Sequence, residues 1–194
     1  MAQNPDVTGR EILPIPDIPS KGKMALDARN AEFPAIKPLR PPKGAPNVVI
    51  VLIDDMGFGA PSVTGGPCNM PAMQKIHDDG LLYNRFHTTA LCSPTRQALL
   101  TGRNHHSAGM GSVAEVATGA PGNDSVRPNT VATIAEMLRL NGYNTGAVGK
   151  MHQTPVWEVS MSGPFDRWPT GDGFEKFYGF VGGETNQWAP TLFK

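Results

Sequence analysis

Six consecutive apolar residues, Val48-Val49-Ile50-Val51-Leu52-Ile53, nearly all β-branched, constrain the fold more than any other feature of this chain. A run with no polar alternation suits a strand buried on both faces, as in a parallel sheet covered by helices. It falls far short of the roughly 20 apolar residues a membrane span needs. Asp54 and Asp55 follow at once, and then comes a glycine-rich stretch, Gly57-Phe58-Gly59 through Gly65-Gly66-Pro67, which breaks regular structure. Two carboxylates therefore stand just past the carboxyl end of a predicted buried strand, the edge at which open α/β sheets bind ligands.

The rest of the chain supplies further elements of an α/β fold. Pro71 to Asp79 reads as a helix with proline in its first turn and Gly80 as its stop, followed by a strand over Leu82 to His87. In SPTRQALLTG, Ser93 is the expected cap, Pro94 fits the first turn and Gly102 closes the helix, which puts Cys92 at a helix N-terminus. Val131, Ile134, Ala135 and Leu138 recur at helical spacing until Asn141-Gly142 ends the pattern. Tyr143 to Val148 is the next predicted strand, with Lys150 and His152 beyond its carboxyl end, and from Pro155 onward the chain reads as loop. The fold class expected is α/β, with a mainly parallel central sheet flanked by helices and incomplete at the C-terminal end. Residues 1–45, rich in proline, read as an extended arm, and residues 46–194 as part of a catalytic domain.

Charge and cysteine content narrow the class of function. Seventeen basic and seventeen acidic side chains leave no overall field to attract nucleic acid or anionic lipid, so anion recognition has to be local. The opening MAQNPDVTGR lacks the apolar core of a signal peptide, and the expected location is the cytoplasm. Cys68 and Cys92 have no metal-finger spacing and are expected to stay unpaired.

Three clusters converge on one sheet edge: Asp54-Asp55, Cys92-Ser93-Pro94-Thr95-Arg96, and Lys150 with His152. Adjacent carboxylates repel unless a cation or a proton is shared, and a hard divalent ion satisfies both; taken alone, one Asp could equally cap a turn. The pattern Cys-x-Pro-x-Arg arises by chance in a chain of this length roughly one time in a hundred. Outside it, Cys92 would read as a small buried hydrophobe, Lys150 as a solvated charge and His152 as a structural histidine. Around Gly149-Lys150 a phosphate-binding loop fails, because Asn144 and Met151 stand where Gly and Ser or Thr are required. His105-His106 reads as structural or pocket-rimming, since adjacent side chains diverge. The sequon Asn123-Asp124-Ser125 carries no weight without an export signal. Trp157, Trp168, Tyr178 and Trp188 could line an aryl pocket or serve as ordinary packing.

Extended through Leu99, Thr101, Gly102 and Arg103, the cysteine motif becomes the signature of a known family. From Pro46 to the end, LIDDMGFG, HTTALCSPTRQALLTGRNHH, GKMH and FDRWPTGDGFEKFYGFVGG resemble, in order, the first part of the sulfatases, and in particular the larger bacterial arylsulfatases. The resemblance implies an alkaline-phosphatase-like fold and hydrolysis of a small sulfate ester. It implies that a formylglycine-generating enzyme oxidises Cys92 to formylglycine, whose hydrate attacks sulfur through one hydroxyl and expels sulfate through the other. By the same resemblance Asp54, Asp55 and residue 92 hold a divalent metal, calcium by preference. Arg96 then reaches back to the hydrate, Lys150 spans sulfate and formylglycine, and His152 accepts a proton as the hydrate collapses. The family's second metal-binding pair and its later histidine and lysine have no counterpart after His152; Asp166, Asp172 and Asn186 stand in other contexts. Two alternatives follow: a phosphonate or phosphodiester hydrolase of the same superfamily, and a catalytically inert truncated product. A half-built sheet would also expose an edge through which the chain could associate with itself.

Overall fold

The computed structural model describes residues 21–35 and 38–194; part of the arm expected over residues 1–45 lies outside them. The chain divides into two compact units, Met1–Pro38 and Leu39–Lys194. In the first, Lys23 and Glu32 form an isolated antiparallel bridge around a 3-10 turn, Ala28–Asn30, which Asp27 caps by accepting from the Arg29 N–H.

The second unit holds helices α1 (Pro71–Asp79), α2 (Cys92–Thr101) and α3 (Ile134–Arg139) and strands β1 (Gly146–Lys150) and β2 (Lys176–Phe180). Pro71 opens α1 and Gly80 ends it, as its sequence requires. Helix α2 begins one residue before the expected cap. Ser93 is buried inside the first turn and its Oγ accepts from the Ala114 N–H at 3.3 Å, while Leu91 occupies the cap position without a side-chain bond. Gly102 closes α2 in the left-handed conformation, φ 63°, with its N–H on the Ala98 carbonyl. Thr133 caps α3 by accepting from the Glu136 N–H.

β1 and β2 pair in parallel, Gly146 opposite Lys176 and Lys150 opposite Phe180. The α/β class is therefore present, but its strands differ from expectation. β1 starts later than Tyr143 and carries Lys150 as its last residue, and β2 lies inside the stretch read as loop. The glycines and aspartates around FDRWPTGDGFEKFYGF obscure the alternation of KFYGF, whose Phe177 and Gly179 face inward. Met151, Trp168, Phe177 and Val181 form the core below this pair, with Phe165 and Phe193 edge-on to Trp168.

Neither Val48 to Ile53 nor Leu82 to His87 is a strand. Val49 and Val51 are 85% and 74% exposed, which reverses the burial expected of them. The reason is cooperative: an extended segment becomes a strand only when a neighbour accepts its hydrogen bonds, and among the described residues no ladder partner lies alongside. The segment keeps a strand's alternation nonetheless. Val48, Ile50 and Leu52 line an apolar cavity with Leu100, Ile134 and Phe174.

Gly179 illustrates how close the two strands are. A Cβ built there would lie 2.0 Å from the Gly149 carbonyl oxygen. Gly179→Ala is expected to part β2 from β1 at this register and to cost about 3 kcal/mol, the upper range for overpacking. A fall in melting temperature by circular dichroism checks this; an unchanged melting curve would show that the strands tolerate separation.

Candidate active site

Three loops and helix ends bring the predicted residues together. α2 presents residue 92 at its first position, where the helix dipole favours negative charge. β1 delivers Lys150 at its carboxyl end. Two residues on, His152 takes a left-handed backbone, φ 54°, a conformation costing a non-glycine residue on the order of 1–3 kcal/mol. That turn places the 4%-exposed His152 with its ring Nδ1 2.9 Å from Cys92 Sγ.

Asp54 joins a second arm of the site. Its Oδ2 accepts from Lys150 Nζ at 2.7 Å and its Oδ1 from Arg96 Nη2 at 3.1 Å, while Arg96 Nη1 donates to the Lys150 carbonyl at 2.7 Å. The Lys150 ammonium, more than Arg96, holds the Asp54 carboxyl below the usual aspartate value against the cost of partial burial. Arg96 is almost wholly buried, and its Nε is a buried donor without a partner among the described residues. Asp55, also left-handed at φ 55°, is exposed.

Beside Cys92 a cleft of about 550 Å³ is lined by Asp54, Asp55, Met73, Phe86, Thr88, Thr89, Leu91 and Arg96 among others. Its size suits a small ligand, and its walls combine apolar and polar groups. Trp157, Trp168, Tyr178 and Trp188 do not line it: Trp168 belongs to the core and donates through Nε1 to the Glu158 carbonyl at 2.6 Å, and the other three are exposed. His105 donates from Nδ1 to the Met110 carbonyl at 2.8 Å, which accounts for one of the adjacent histidines as a loop brace. Cys68 and Cys92 are both free thiols.

One residue of the site was not expected. Glu115, in the 3-10 turn Ala114–Val116, sets both carboxylate oxygens 2.8–2.9 Å from His152 Nε2. Nothing local in GSVAEVATG marks it, because its partner is 37 positions away and the turn has no amphipathic period.

A divalent metal would need more donors than this arrangement brings together. Asp54 and Asp55 are hard oxygen donors adjacent in sequence, but Asp54 is engaged by two cations. Among the described residues no three His, Cys, Asp or Glu side chains surround a common centre. The residues present do not form a metal site by themselves.

Comparison with known proteins agrees with the motifs. The family model for Sulfatase matches residues 46–194. An uncharacterized sulfatase of Schizosaccharomyces pombe is 31% identical over 151 residues, covering 74% of this chain and 26% of that protein. An arylsulfatase of Klebsiella aerogenes is 32% identical over 149 residues, covering 76% of this chain and 30% of that protein. The crystal structure of Ps i-CgsB in complex with k-i-k-neocarrahexaose is 28% identical, with a TM-score of 0.47, covering 69% of this chain and 27% of that one. The chain belongs to the sulfatase family, and it spans between a quarter and a third of the length of these relatives.

Proposed function

We propose that the chain carries the nucleophile-bearing part of an arylsulfatase-type sulfuric ester hydrolase. The observation that carries the reading is the 2.9 Å approach of His152 Nδ1 to Cys92 Sγ at the start of α2, with the Arg96–Asp54–Lys150 cluster on the adjoining sheet edge. The relative from Klebsiella, itself an arylsulfatase, supports the choice of ester.

In this proposal Cys92 is converted by a formylglycine-generating enzyme, and its Sγ marks where a hydrate oxygen would sit. That oxygen attacks the ester sulfur, the bond from sulfur to the aryl oxygen breaks, and the aryl alcohol departs. His152 Nδ1 takes the proton of the second hydroxyl as the carbon–oxygen bond to sulfate breaks and the aldehyde re-forms. Breaking that bond avoids a second attack on sulfur. Lys150 spans sulfate and the hydrate and Arg96 reaches back to the hydrate, roles supported by the two cations that meet at one Asp54 carboxylate. Asp54, Asp55 and the modified residue 92 are proposed as some of the donors to a divalent ion, calcium by expectation, which would neutralise sulfate charge when bound.

Peptide mass spectrometry of residue 92 in protein from its native host, with turnover of a generic aryl sulfate, tests the reading. Conversion of the thiol to the aldehyde together with turnover is the expected result. An unmodified Cys92 without turnover would overturn it.

A further inference from the structure

The Glu115 carboxylate lies too well placed to be a chance surface charge. His152 is 4% exposed, so its Nε2 would be a buried polar atom without a partner unless a group reached in to meet it. Glu115 does so from a side chain that is itself half exposed, with both oxygens within hydrogen-bond distance. An ionised carboxylate only accepts, so Nε2 carries the proton and Nδ1 of the neutral ring is left with its lone pair toward residue 92. Burial opposes ionisation of Glu115. The His152 ring, the backbone of Glu115 itself and a bond from Gly183 outweigh it and hold the carboxyl below the ordinary glutamate value.

The turn that carries Glu115 is clamped by the same helix that carries residue 92. Ser93 Oγ accepts from the Ala114 N–H at 3.3 Å, and Ser125 Oγ donates to the Ala114 carbonyl at 3.4 Å. Ser93, Ala114 and Ser125 are all at most 2% exposed. On the other side Gly183 closes against the pair. A Cβ there would lie 2.7 Å from His152 Nε2 and 3.0 Å from Glu115 Oε1, so the loop after β2 leaves room for this contact only because residue 183 has no side chain. Three segments thus converge on one hydrogen-bonded pair.

We propose that Glu115 is a positioning residue. It holds the His152 imidazole by Nε2, fixes the tautomer that leaves Nδ1 free to accept a proton from residue 92, and stabilises the imidazolium that results. Its catalytic consequence rests on the sulfatase reading; its effect on the ring does not. The logic is that of a carboxylate behind a catalytic histidine, whose loss leaves the ring present but wrongly protonated or misaligned.

The test compares wild type, Glu115→Ala and Glu115→Gln in the full chain by 15N NMR of ring-labelled histidine, together with kcat and KM on an aryl sulfate. In the wild type the neutral His152 ring is expected to carry its proton on Nε2. Glu115→Ala is expected to redistribute the tautomers and to lower kcat by roughly 10- to 100-fold with little change in KM. Glu115→Gln still offers a carbonyl to Nε2–H, and should keep the tautomer while losing part of kcat through the missing charge. A Glu115→Ala protein with wild-type ring shifts overturns the proposal. So does a Glu115→Gln protein with wild-type kcat in the event that the alanine variant fails to fold. Absence of turnover in the wild type would remove the sulfatase reading and leave the ring shifts to decide the role of Glu115.

Discussion

Replacing Cys92 with serine should leave a protein that reacts once with an aryl sulfate and then stops. A serine Oγ at the start of α2 would sit in the same helix-terminal field and within reach of His152, so the first step has most of what it needs. The hydroxyl attacks sulfur, the aryl alcohol leaves, and residue 92 becomes a sulfate ester. No second hydroxyl then stands on the same carbon to expel sulfate, and release demands attack of water on sulfur. The expected outcome is one equivalent of aryl alcohol per chain, a sulfated residue 92 in the mass spectrum, and steady turnover lower by about 10⁴-fold or more, the scale on which loss of a nucleophile is felt. Cys92→Ala should lose the single equivalent as well. Continued turnover by the serine variant would show that the hydrate chemistry is not used. Turnover by the alanine variant would show that residue 92 is not the nucleophile.

How much of this was legible in the sequence depends on the range of the signal. Helices α1 and α2 are bounded by residues that act locally, Pro71 and Gly80 in one and Gly102 in the other, and both appear where those residues predict. Lys150 and His152 also end up around the carboxyl end of β1, Lys150 as its last residue rather than beyond it, because a strand pattern is read within a few positions. Partners were not legible. Val48 to Ile53 has the composition of a central strand, yet a strand is a relation between segments, and composition cannot say whether the neighbouring segment lies alongside. The burial of Ser93 shows the same limit on a smaller scale: a serine before proline reads as a cap, and only the Ala114 N–H, 21 residues on, explains why it points inward instead. Glu115 is the functional case. Its meaning comes from His152 and Gly183, neither of which is near it in sequence, whereas Asp54 was legible because two carboxylates after an apolar run form a pattern in themselves.

A second large effect is expected away from the site, at the buried pair of Arg127 and Asp172. Asp172 has a fully buried side chain and accepts from Arg127 Nη2 and from Gln153 Nε2, while its backbone carbonyl accepts from Thr133, the cap of α3. The pair therefore ties the loop before β2 to the start of α3. Burial pushes the Asp172 carboxyl up from 3.8 to about 6, and the nearby Glu136 adds to the rise; Arg127 and Gln153 oppose it without cancelling it. Because the folded value lies above the unfolded one, the stability linked to this group is fully present below about 3.8 and is lost as pH rises through about 6. Arg127→Ala removes the opposing cation, so the folded value should climb further and the loss should extend to higher pH. At neutral pH the variant is expected to be about 3–5 kcal/mol less stable, the cost of leaving a buried charge without its partner. Below the unfolded value of Asp172 the carboxyl is neutral in both proteins, and the difference should shrink to the lost hydrogen bond from Arg127 to the Val131 carbonyl and the lost packing. Urea melts of both proteins across this range decide it. A gap that narrows on acidification supports an Asp172 charge held in place by Arg127, whereas a gap constant with pH would mean that Arg127 stabilises the fold through packing alone.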